Sequence, residues 1–472
     1  MSFEINNICC IGAGYVGGPT MSVIADKCPN LTINVVDINQ QRIDQWNQSD
    51  LSQLPIYEPG LKEIVSKCRN KNLYFSIDIE KHIKSADMIF ISVNTPTKVK
   101  GIGAGQASDL KWIEASAREI AKFAEGKTIV IEKSTLPVKT AAIINKILQE
   151  SNTEINNSDR EFFVLSNPEF LAEGTAINDL NQPDRVLIGG DNQEAIDALK
   201  NLYLNWVDEN KILTSNIWSS ELSKLIANAF LAQRISSINS ISALCEATGA
   251  DIKDVSLAVG MDSRIGNKFL ESGPGFGGSC FKKDILNLVY ICKHHGLDEV
   301  ASYWQKVIDM NFWQQKRLSE IIISSLFGTI SEKKIAILGF AFKANTNDTR
   351  ESPAIKICRD LLEEGGNLQI YDPRVSKEMI NHELQKQDEN IKNNNDYKKL
   401  WKYCESVQQA TYGVDAVLIL TEWEEFKNIK WQKLSKSMRS PKWLFDTRSI
   451  TDIEEAKSAG INTWRLGNSE AI

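Results

Sequence analysis

One cysteine, Cys280, lies in the segment of the chain whose residue types best suit covalent chemistry. It follows a glycine-rich run, Gly-Pro-Gly-Phe-Gly-Gly at 273–278, and precedes the charged residues Lys-Lys-Asp at 282–284. Glycines let backbone approach a ligand closely. The apolar segment Ile285–Cys292 is predicted to be helical, so Cys280 would lie near a helix N-terminus, where the helix and the two lysines favour a nucleophilic thiolate. A turn carrying a half-buried cysteine explains this segment equally well when it is taken alone.

Two other pairs of side chains have spacings that suit acid–base chemistry. Glu169 and Glu173 are four residues apart, as are Lys224 and Asn228, so a helix would place each pair on one face. Two carboxylates can supply a general base and an orienting group, and a cation with an amide can stabilise an oxyanion. Each pair, taken alone, is better explained as a solvated helix face or a helix start that favours acids.

The N-terminus carries a dinucleotide-binding pattern. Residues 8–17 read Ile-Cys-Cys-Ile-Gly-Ala-Gly-Tyr-Val-Gly, which is G-x-G-x-x-G after a predicted strand. Gly12 allows the tight turn, Gly14 the approach of a pyrophosphate, and Gly17 the close packing of the helix. The N-terminus of that helix supplies amide donors for the phosphates.

An acidic residue at the end of the next strand indicates which dinucleotide binds. Asp37 lies twenty residues after the last glycine, where a carboxylate accepts hydrogen bonds from the adenosine ribose and repels a 2′-phosphate. NAD is therefore the predicted cofactor. Arg42 favours the alternative, NADP, since an arginine near this place can hold a 2′-phosphate.

Composition excludes several classes of protein. The 472 residues carry a net charge of −7, which argues against nucleic acid or an acidic membrane surface as a partner. We expect neither a membrane-spanning segment nor a signal peptide, and we expect the cytoplasm as the location. The nine cysteines form no Cys-x-x-Cys pair, so neither a disulfide framework nor a metal site is predicted. The four histidines lie outside the glycine-rich segments, which weakens a mechanism based on a histidine base.

Apolar runs that alternate with amphipathic stretches predict an α/β fold with two Rossmann-like, doubly wound domains joined by a long central helix. The predicted strands are Ile8–Ile11, Ile33–Val36, Met88–Val93, Thr128–Ile131, Phe163–Leu165, a run from Lys333, Leu368–Asp372, Ala416–Leu420 and Trp443–Phe445. Long helices are predicted from Trp218 to about Ala247, with Ser219 or Ser220 as N-cap and Gly249 after the end, and over Ser302–Phe327. We divide the chain into residues 1–215, 216–329 and 330–472. The segments 98–108, 149–161 and 386–399 are predicted to be loops.

Several of these segments together resemble one family, the UDP-glucose/GDP-mannose dehydrogenases, and the resemblance extends to about Arg448. The motifs that carry it are Ile11-Gly-Ala-Gly-Tyr-Val-Gly17, Val93-Asn-Thr-Pro-Thr97, Glu132-Lys-Ser-Thr135, Asn167-Pro-Glu-Phe-Leu-Ala-Glu-Gly174, Glu221-Leu-Ser-Lys-Leu-Ile-Ala-Asn228, Gly275-Phe-Gly-Gly-Ser-Cys280 and Gly339-Phe-Ala-Phe-Lys343. Many of them look closest to the animal and plant enzymes.

The resemblance implies a four-electron oxidation of UDP-glucose to UDP-glucuronate with two NAD⁺. Cys280 would attack the aldehyde formed first, and the thiohemiacetal would be oxidised to a thioester that water hydrolyses. Lys224 matches the lysine that stabilises the oxyanion or takes part in proton transfer. Asn228 would also stabilise the oxyanion. Asp284 and Thr135 match groups that hold the catalytic water, and Glu169 matches the base for hydrolysis.

The resemblance also implies binding residues. Those for NAD are Gly12, Ala13, Gly14, Tyr15, Val16, Gly17, Asp37, Arg42, Val93, Asn94, Thr95, Pro96, Thr97, Ser134, Thr135, Glu173, Cys280, Lys283 and Arg350. Those for the nucleotide sugar are Glu169, Phe170, Leu171, Glu173, Lys224, Asn228, Arg264, Phe269, Glu271, Gly275, Phe276, Gly277, Phe342, Lys343 and Arg448, with Arg264 donated across a subunit interface. We expect no metal. We also expect a homo-oligomer that is at least a dimer, and similarity to the animal enzymes implies a hexamer.

The sequence departs from the family pattern at two places and leaves alternatives open. Glu271 replaces a frequent lysine, and Asp446-Thr-Arg448 replaces a more usual Asp-Gly-Arg, which leaves the course of that loop undecided. A dehydrogenase of another nucleotide sugar, such as GDP-mannose or a UDP-amino sugar, is the alternative within the family. A two-electron hydroxy-acid dehydrogenase would have no use for Cys280, and a catalytically silent NAD-binding protein would have no use for Lys224 and Asp284.

Overall fold

In a computed structural model the chain is an α/β protein with two open sheets, and the structure describes residues 3–134, 137–155, 160–385 and 400–468. Two compact units divide it. Unit 1 comprises Met1–Ala227 and Leu286–Gly296, and unit 2 comprises Asn228–Ile285 and Leu297–Ile472. The boundary falls inside two helices, so each of them contributes residues to both units.

Unit 1 contains an eight-stranded sheet. Its order is β3-β2-β1-β4-β5-β6-β7-β8, and all pairs are parallel except the single β6–β7 bridge. The central strands are apolar on both faces and buried, as expected for a parallel sheet covered by helices on both sides. The strands are β1 (Asn7–Ile11), β2 (Thr32–Val36), β3 (Leu73–Ser76), β4 (Met88–Ile91), β5 (Lys127–Glu132), β6 (Glu161–Ser166), β7 (Val186–Gly189) and β8 (Ile212–Ser215).

The helices that connect these strands bury one apolar stripe against the sheet. They are α1 (Gly17–Lys27), α2 (Gln40–Asn47), α3 (Leu61–Cys68), α4 (Ile79–Lys84), α5 (Lys111–Phe123), α6 (Thr140–Ile155), α7 (Ala176–Asn181) and α8 (Gln193–Tyr203). The long helix α9 (Ile217–Thr248) follows, and it joins the two sheet-containing units.

Unit 2 repeats the plan with six parallel strands in the order β11-β10-β9-β12-β13-β14. The strands are β9 (Lys334–Leu338), β10 (Asn367–Tyr371), β11 (Trp401–Tyr403), β12 (Ala416–Ile419), β13 (Trp443–Asp446) and β14 (Asn462–Arg465). This is the strand order of the first six strands of unit 1, and both match the doubly wound order 3-2-1-4-5-6. The predicted fold class is therefore confirmed.

The other helices are α10 (Ile252–Gly260), α11 (Phe281–His294), α12 (Asp298–Ser325), α13 (Pro353–Glu363), α14 (Lys377–Gln385), α15 (Val407–Thr411), α16 (Glu424–Lys427), α17 (Trp431–Leu434) and α18 (Ile453–Ser458). Within the described ranges, none of the helices has both the length and the hydrophobicity to cross a bilayer.

Three details of the helix predictions are wrong. The cap of α9 is Asn216, whose side chain accepts from the Ser219 N–H at 2.8 Å, whereas Ser220 lies inside the helix and bonds Ser166. The segment predicted as a loop from residue 149 is helical to Ile155, because α6 continues through its polar end. Glu169 and Glu173 do not share a helix, since α7 begins only at Ala176.

The remaining predictions on organisation have different outcomes. The predicted long helices are confirmed as α9 and α12, and Gly249 follows α9 with a φ of 85°. The loop predicted over 98–108 is confirmed. The loop predicted over 386–399 lies outside the described residues. The three-domain division stays a prediction.

A buried carboxylate, Asp372, holds the first turn of the unit 2 sheet together. Its Oδ2 accepts from the N–H groups of Phe340 and Ala341 and from the Trp423 indole, at 2.7, 3.0 and 3.1 Å. Its Oδ1 accepts from the N–H groups of Arg374 and Val375. Five donors saturate the carboxylate and link β9, β10 and the segment after β12.

We expect Asp372→Asn to destabilise unit 2, because an amide nitrogen would face backbone N–H donors and the charge-assisted bonds would be lost. A cost of about 3 kcal/mol would lower the midpoint of its thermal unfolding by roughly 6–12 °C. Asp452→Asn is the matched control, since Asp452 is exposed and only caps α18 through the Glu455 N–H. Similar shifts for both variants would contradict the role assigned to Asp372.

Candidate active site

The glycine turn after β1 has the geometry of a dinucleotide cradle. Gly12 has a φ of 111°, and a Cβ there would collide with the Ser92 carbonyl. A Cβ on Gly17 would meet the Gly12 carbonyl, so both positions exclude side chains. Gly14 has open space at the same place, which leaves its backbone accessible to a bound pyrophosphate. The turn lies where β1 separates β2 from β4, the point at which strand order reverses and ligands bind in such sheets.

Asp37 follows β2 and is tied to the glycine turn. Its Oδ2 accepts from the Ala13 N–H at 2.9 Å and from Arg42 Nη1 at 3.1 Å, while Oδ1 accepts from the Asn39 N–H. Arg42 is therefore paired with the carboxylate, and its charge is partly neutralised there. This arrangement suits ribose hydroxyls better than a 2′-phosphate, which supports NAD.

The other predicted cofactor residues of unit 1 follow neighbouring strands. The segment Val93-Asn-Thr-Pro-Thr97 comes after β4, and Thr97 pairs with Ser108. Ser134, after β5, donates to the Val93 carbonyl at 2.7 Å, so it ties the two strand-end loops together. Tyr15 donates to the Tyr57 carbonyl, and Val16 precedes α1. Thr135 lies outside the described residues.

Glu169 and Lys224 form a buried ion pair in unit 1. Lys224 Nζ lies 3.8 Å from Glu169 Oε1, and both side chains are about 7% exposed. Burial raises the pKa of Glu169, and Lys224 opposes that effect. Glu169 Oε2 also accepts from the Leu171 N–H at 3.0 Å. A carboxyl with a raised pKa beside a lysine is the kind of group that serves as a general base near neutral pH.

The loop that carries Glu169 is held at both ends by residues that sequence reasoning missed. Asn167 accepts from Lys133 and Tyr203, and it donates to the Leu187 carbonyl at 2.8 Å. At the other end, buried Glu58 accepts from the N–H groups of Gly174 and Ala176. Glu58 is distant in sequence, and nothing in the printed chain indicates it. The non-helical loop thus has a fixed course although it lacks regular structure.

Phe170 brings a second cation close to the same place. The Arg185 guanidinium lies 3.8 Å from the ring centroid, and Lys224 Nζ lies 5.3 Å from it. Cations are attracted to the face of an aromatic ring. Arg185 was not among the predicted site residues, and only its position just before β7, a strand end, could have indicated it.

In unit 2, Cys280 is positioned as the sequence predicts. It directly precedes α11, and its carbonyl accepts the helical N–H of Asp284 at 2.9 Å. All nine cysteines lie in described segments and none forms a disulfide, and Cys280 is the exposed one. Ser279 Oγ lies 3.5 Å from its sulfur. The N-terminus of a fourteen-residue helix favours a thiolate at this position.

The two lysines beside Cys280 contribute less than the sequence suggests. Lys282 pairs with Glu351 at 2.8 Å, and Lys283 lies 3.4 Å from Asp284 Oδ1. Their charges are therefore partly neutralised. The helix N-terminus remains as the feature of the predicted environment that favours the anion.

Asp284 and Asn228 are joined directly. Asn228 Nδ2 donates to Asp284 Oδ2 at 2.6 Å, and both side chains are buried. Asp284 lies in the first turn of α11, and the Asn228 amide fixes the position of its carboxylate there. Asp284 thus has an ion pair on one oxygen and an amide on the other, which keeps it in one orientation.

The glycine-rich loop before Cys280 is pinned by amide side chains. Asn311, on α12, accepts from the Phe276 N–H and donates to the Phe276 carbonyl, while Gln314 donates to the Gly273 carbonyl. Asn239, on α9, accepts from the Gly273 N–H. Gly275 has a φ of 127°, and a Cβ on Gly277 would collide with the Glu351 carbonyl. The loop therefore needs its glycines for close packing within unit 2, whatever it binds.

The structure settles the loop after β13 that departs from the family pattern. Thr447 is fully buried, and its hydroxyl donates to the Ile419 carbonyl at 2.6 Å. The positive φ of the loop, 54°, falls at Ser449. Arg448 donates to the carbonyls of Leu420 and Phe342 and lies 3.2 Å from Glu422. A threonine is thus accommodated because the left-handed conformation lies two residues later.

The other predicted contact residues of unit 2 are more exposed. Arg264 is 87% exposed and pairs with Asp262. Phe269 has a φ of 62° and is partly exposed, and Glu271 is exposed. Arg350 binds Asp348 through its Nε and Nη2, and Lys343 lies 5.6 Å from the Phe342 ring. Within the described residues, no cluster of histidine, cysteine and acidic side chains could hold a metal ion.

Family models match three consecutive segments of the chain. The NAD-binding domain of the UDP-glucose/GDP-mannose dehydrogenase family matches residues 6–207, the central domain 218–313, and the UDP-binding domain 336–453. Together they cover most of the chain.

Curated proteins and solved structures give the same result. The chain is 53% identical to UDP-glucose 6-dehydrogenase 4 of Oryza sativa subsp. japonica over 98% of this chain and 96% of that one. It is 57% identical to UDP-glucose 6-dehydrogenase of Bos taurus over 95% and 90%. A UDP-glucose dehydrogenase from Pyrobaculum islandicum superposes with a TM-score of 0.83 at 28% identity, covering 99% of this chain and 98% of that one.

The exposure of Cys280 predicts a single fast-reacting thiol. Brief treatment of the folded protein with iodoacetamide should alkylate about one thiol per chain, because thiolates react and buried thiols do not. Peptide mass spectrometry should place the label on Cys280. Cys280→Ser should abolish the fast label and Cys245→Ala, at a buried position in the same unit, should retain it. Rapid labelling of several other cysteines would contradict this environment.

Proposed function

The chain belongs to the UDP-glucose/GDP-mannose dehydrogenase family, and we propose that it converts UDP-glucose to UDP-glucuronate through a thiohemiacetal and a thioester on Cys280. The protein is an NAD-dependent oxidoreductase of UDP-glucose, since it aligns over nearly its full length with curated UDP-glucose 6-dehydrogenases. The observation that carries the covalent route is an exposed cysteine at the start of α11, beside a buried, fixed carboxylate.

Covalent capture follows from the chemistry of a four-electron oxidation. Each of the two oxidations would remove one hydride from C6 of the glucose unit and release one proton to solvent. Two NAD⁺ molecules, held in turn by the glycine turn and Asp37, would each accept one hydride. Between the two oxidations, the Cys280 thiolate adds to the C6 aldehyde, and the former carbonyl oxygen takes a proton to give a thiohemiacetal. This intermediate stays tethered to the chain and is a good hydride donor. Its oxidation leaves a thioester on Cys280.

Hydrolysis of the thioester requires a base and a held water molecule. In this mechanism Glu169 removes a proton from water as the water attacks the thioester carbon. The C–S bond breaks, the Cys280 thiolate leaves, and the product is the carboxylate. Asp284 and Thr135 orient the water. Burial raises the pKa of Glu169, which makes its carboxylate a stronger base for that proton.

Lys224 and Asn228 act on the charge that develops at oxygen. The ammonium stabilises the alkoxide in the first oxidation and the tetrahedral oxyanion in the later steps, and the amide supports it. The ion pair with Glu169 holds Lys224 in a buried position, where its electrostatic effect is larger than in water.

The cofactor and substrate residues follow the assignment made from sequence. The glycine turn and Asp37 hold the dinucleotide, and the family resemblance also assigns Val93–Thr97, Ser134, Lys283 and Arg350 to the cofactor. In unit 2, Arg448 and Lys343 bind the uridine diphosphate, since fixed cations suit a diphosphate, and Phe269 and Phe342 line the same place. We propose that Arg264 completes the site of a second copy of the chain, in a homo-oligomer that is at least a dimer.

No observation favours the alternative substrates. A UDP-N-acetylmannosamine dehydrogenase from Pyrococcus horikoshii shares 25% identity with the chain, whereas the curated UDP-glucose 6-dehydrogenases share 53–57%. We propose the cytoplasm as the location, where eight buried thiols and one reactive thiol persist in reduced form.

The decisive test is the number of NADH molecules formed per sugar. With limiting UDP-glucose and excess NAD⁺, we expect about two NADH and one UDP-glucuronate, because both oxidations occur before release. Cys280→Ser should still bind NAD⁺, yet its turnover should fall by roughly 10³-fold or more. About one NADH per sugar, or normal turnover of Cys280→Ser, would rule out the covalent route.

A second prediction concerns Glu169. Glu169→Gln should slow hydrolysis by roughly 10²-fold or more, so the sugar-acid adduct should accumulate on Cys280 and be visible by mass spectrometry of quenched enzyme. In the wild type, hydrolysis should fall as pH drops through the raised pKa of Glu169, because the base acts when ionised. Glu161→Gln, at the exposed start of β6, is the control and should behave as wild type. An unchanged hydrolysis rate in Glu169→Gln would assign the base elsewhere.

A further inference from the structure

Lys133 is a buried lysine to which the mechanism above gives no role. It directly follows β5, precedes Ser134 and is 4% exposed. No described carboxylate lies within ion-pair distance of its ammonium, which is unusual because buried lysines are normally paired. The partners that stabilise the buried ammonium of Lys133 therefore indicate its role.

Three buried side chains form a closed hydrogen-bonded triangle. Lys133 Nζ donates to Asn167 Oδ1 at 3.0 Å and to the Tyr203 hydroxyl at 3.2 Å. Tyr203 in turn donates to the same Asn167 oxygen at 2.6 Å. Asn167 begins the loop that carries Glu169, so Lys133 determines where that loop starts.

The charge of Lys133 is not cancelled by its acidic neighbours. Burial raises the pKa of the Cys10 thiol to about 12, so that thiol is neutral. Burial and the adjacent Glu221 carboxyl raise the pKa of Glu132 well above its ordinary value, which favours its neutral form. Glu221 accepts from the Lys139 and Ala141 N–H groups at the start of α6. Both pKa shifts favour the neutral forms of Cys10 and Glu132, so neither group offsets the charge of Lys133 strongly.

The groups that act on Glu169 come from three elements. Burial raises its pKa, Lys224 on α9 and Lys133 after β5 lower it, the Leu171 N–H lowers it, and Asp179 on α7 raises it. Asp179 is itself occupied with the Ala172 N–H and the Thr175 hydroxyl. Two buried lysines thus oppose the effect of burial on one carboxyl.

We propose that Lys133 is a positioning residue for thioester hydrolysis, which holds Asn167 at the start of the Glu169 loop and supplies a second buried cation to the environment of Glu169. This inference rests on the proposed function. Lys224 must also respond to the charge on the substrate oxygen, so a second cation gives Glu169 an electrostatic field that does not change as that charge develops.

The test removes the charge of Lys133 and retains its shape. Lys133→Met should move the acidic limb of the kcat–pH profile up by about one pH unit, because loss of a nearby cation makes Glu169 harder to ionise. At pH values below the new limb, the sugar-acid adduct on Cys280 should accumulate. Lys133→Arg, which keeps the charge, should restore the wild-type limb, and if Lys133→Met does not fold, Lys133→Gln replaces it.

Lys127→Met is the matched control, since Lys127 begins β5, the strand that Lys133 follows, is 65% exposed and pairs with Glu161. Its profile should equal that of the wild type. A wild-type limb and no adduct in folded Lys133→Met would overturn the inference. A merely structural role would lower stability and activity at all pH values without moving the limb.

Failure of this inference can be separated from failure of the proposed function. If the wild type forms one NADH per sugar, or Cys280→Ser turns over normally, the covalent route itself is absent. The other case is that the wild type forms two NADH per sugar and the Glu169→Gln variant accumulates the adduct, yet Lys133→Met keeps the wild-type limb. In that case only the role of Lys133 is rejected.

Discussion

A charge buried away from water must be stabilised by its neighbours, and this constraint shapes the catalytic half of unit 1. Glu169 is buried and faces Lys224 and Lys133. Removing one partner from such a set would leave an uncompensated charge, which costs several kcal/mol. The loop from Asn167 to Gly174 therefore cannot be a mobile connection. It is fixed at both ends, by the Lys133 triangle and by Glu58, because the carboxylate it carries requires fixed cations.

The sequence predicts most of the architecture because the relevant signals are local. Apolar runs that end in glycine or an acidic residue predict the parallel strands. The G-x-G-x-x-G turn specifies its own backbone: Gly12 needs a positive φ and Gly17 has no room for a side chain. The place of Cys280 at the start of α11 also follows from local pattern, since an apolar run directly follows it.

The parts that escape prediction depend on contacts between distant segments. Asn239, Asn311 and Gln314 read as ordinary polar residues on long helices, yet they satisfy the backbone of the glycine-rich loop. The spacing of Glu169 and Glu173 suggested a helix because four-residue spacing is typical of one. The actual loop is non-helical because its N–H groups bond to Glu58, Asp179 and Glu169 instead of to helical carbonyls. Such partners can be identified only when the fold brings them together.

The two sheets share one strand order, yet the acidic residue after the second strand has a different role in each. Asp37 accepts three hydrogen bonds, one of them from the half-exposed Arg42, so it retains an acceptor site and can exchange a weakly held partner for a ribose. Asp372 accepts five, all from backbone or a buried indole, and has no remaining capacity. The same topology thus produces a ligand site in unit 1 and a set of structural hydrogen bonds in unit 2. Recognition of a nucleotide in unit 2 must therefore come from other residues, and fixed cations such as Arg448 are suited to it.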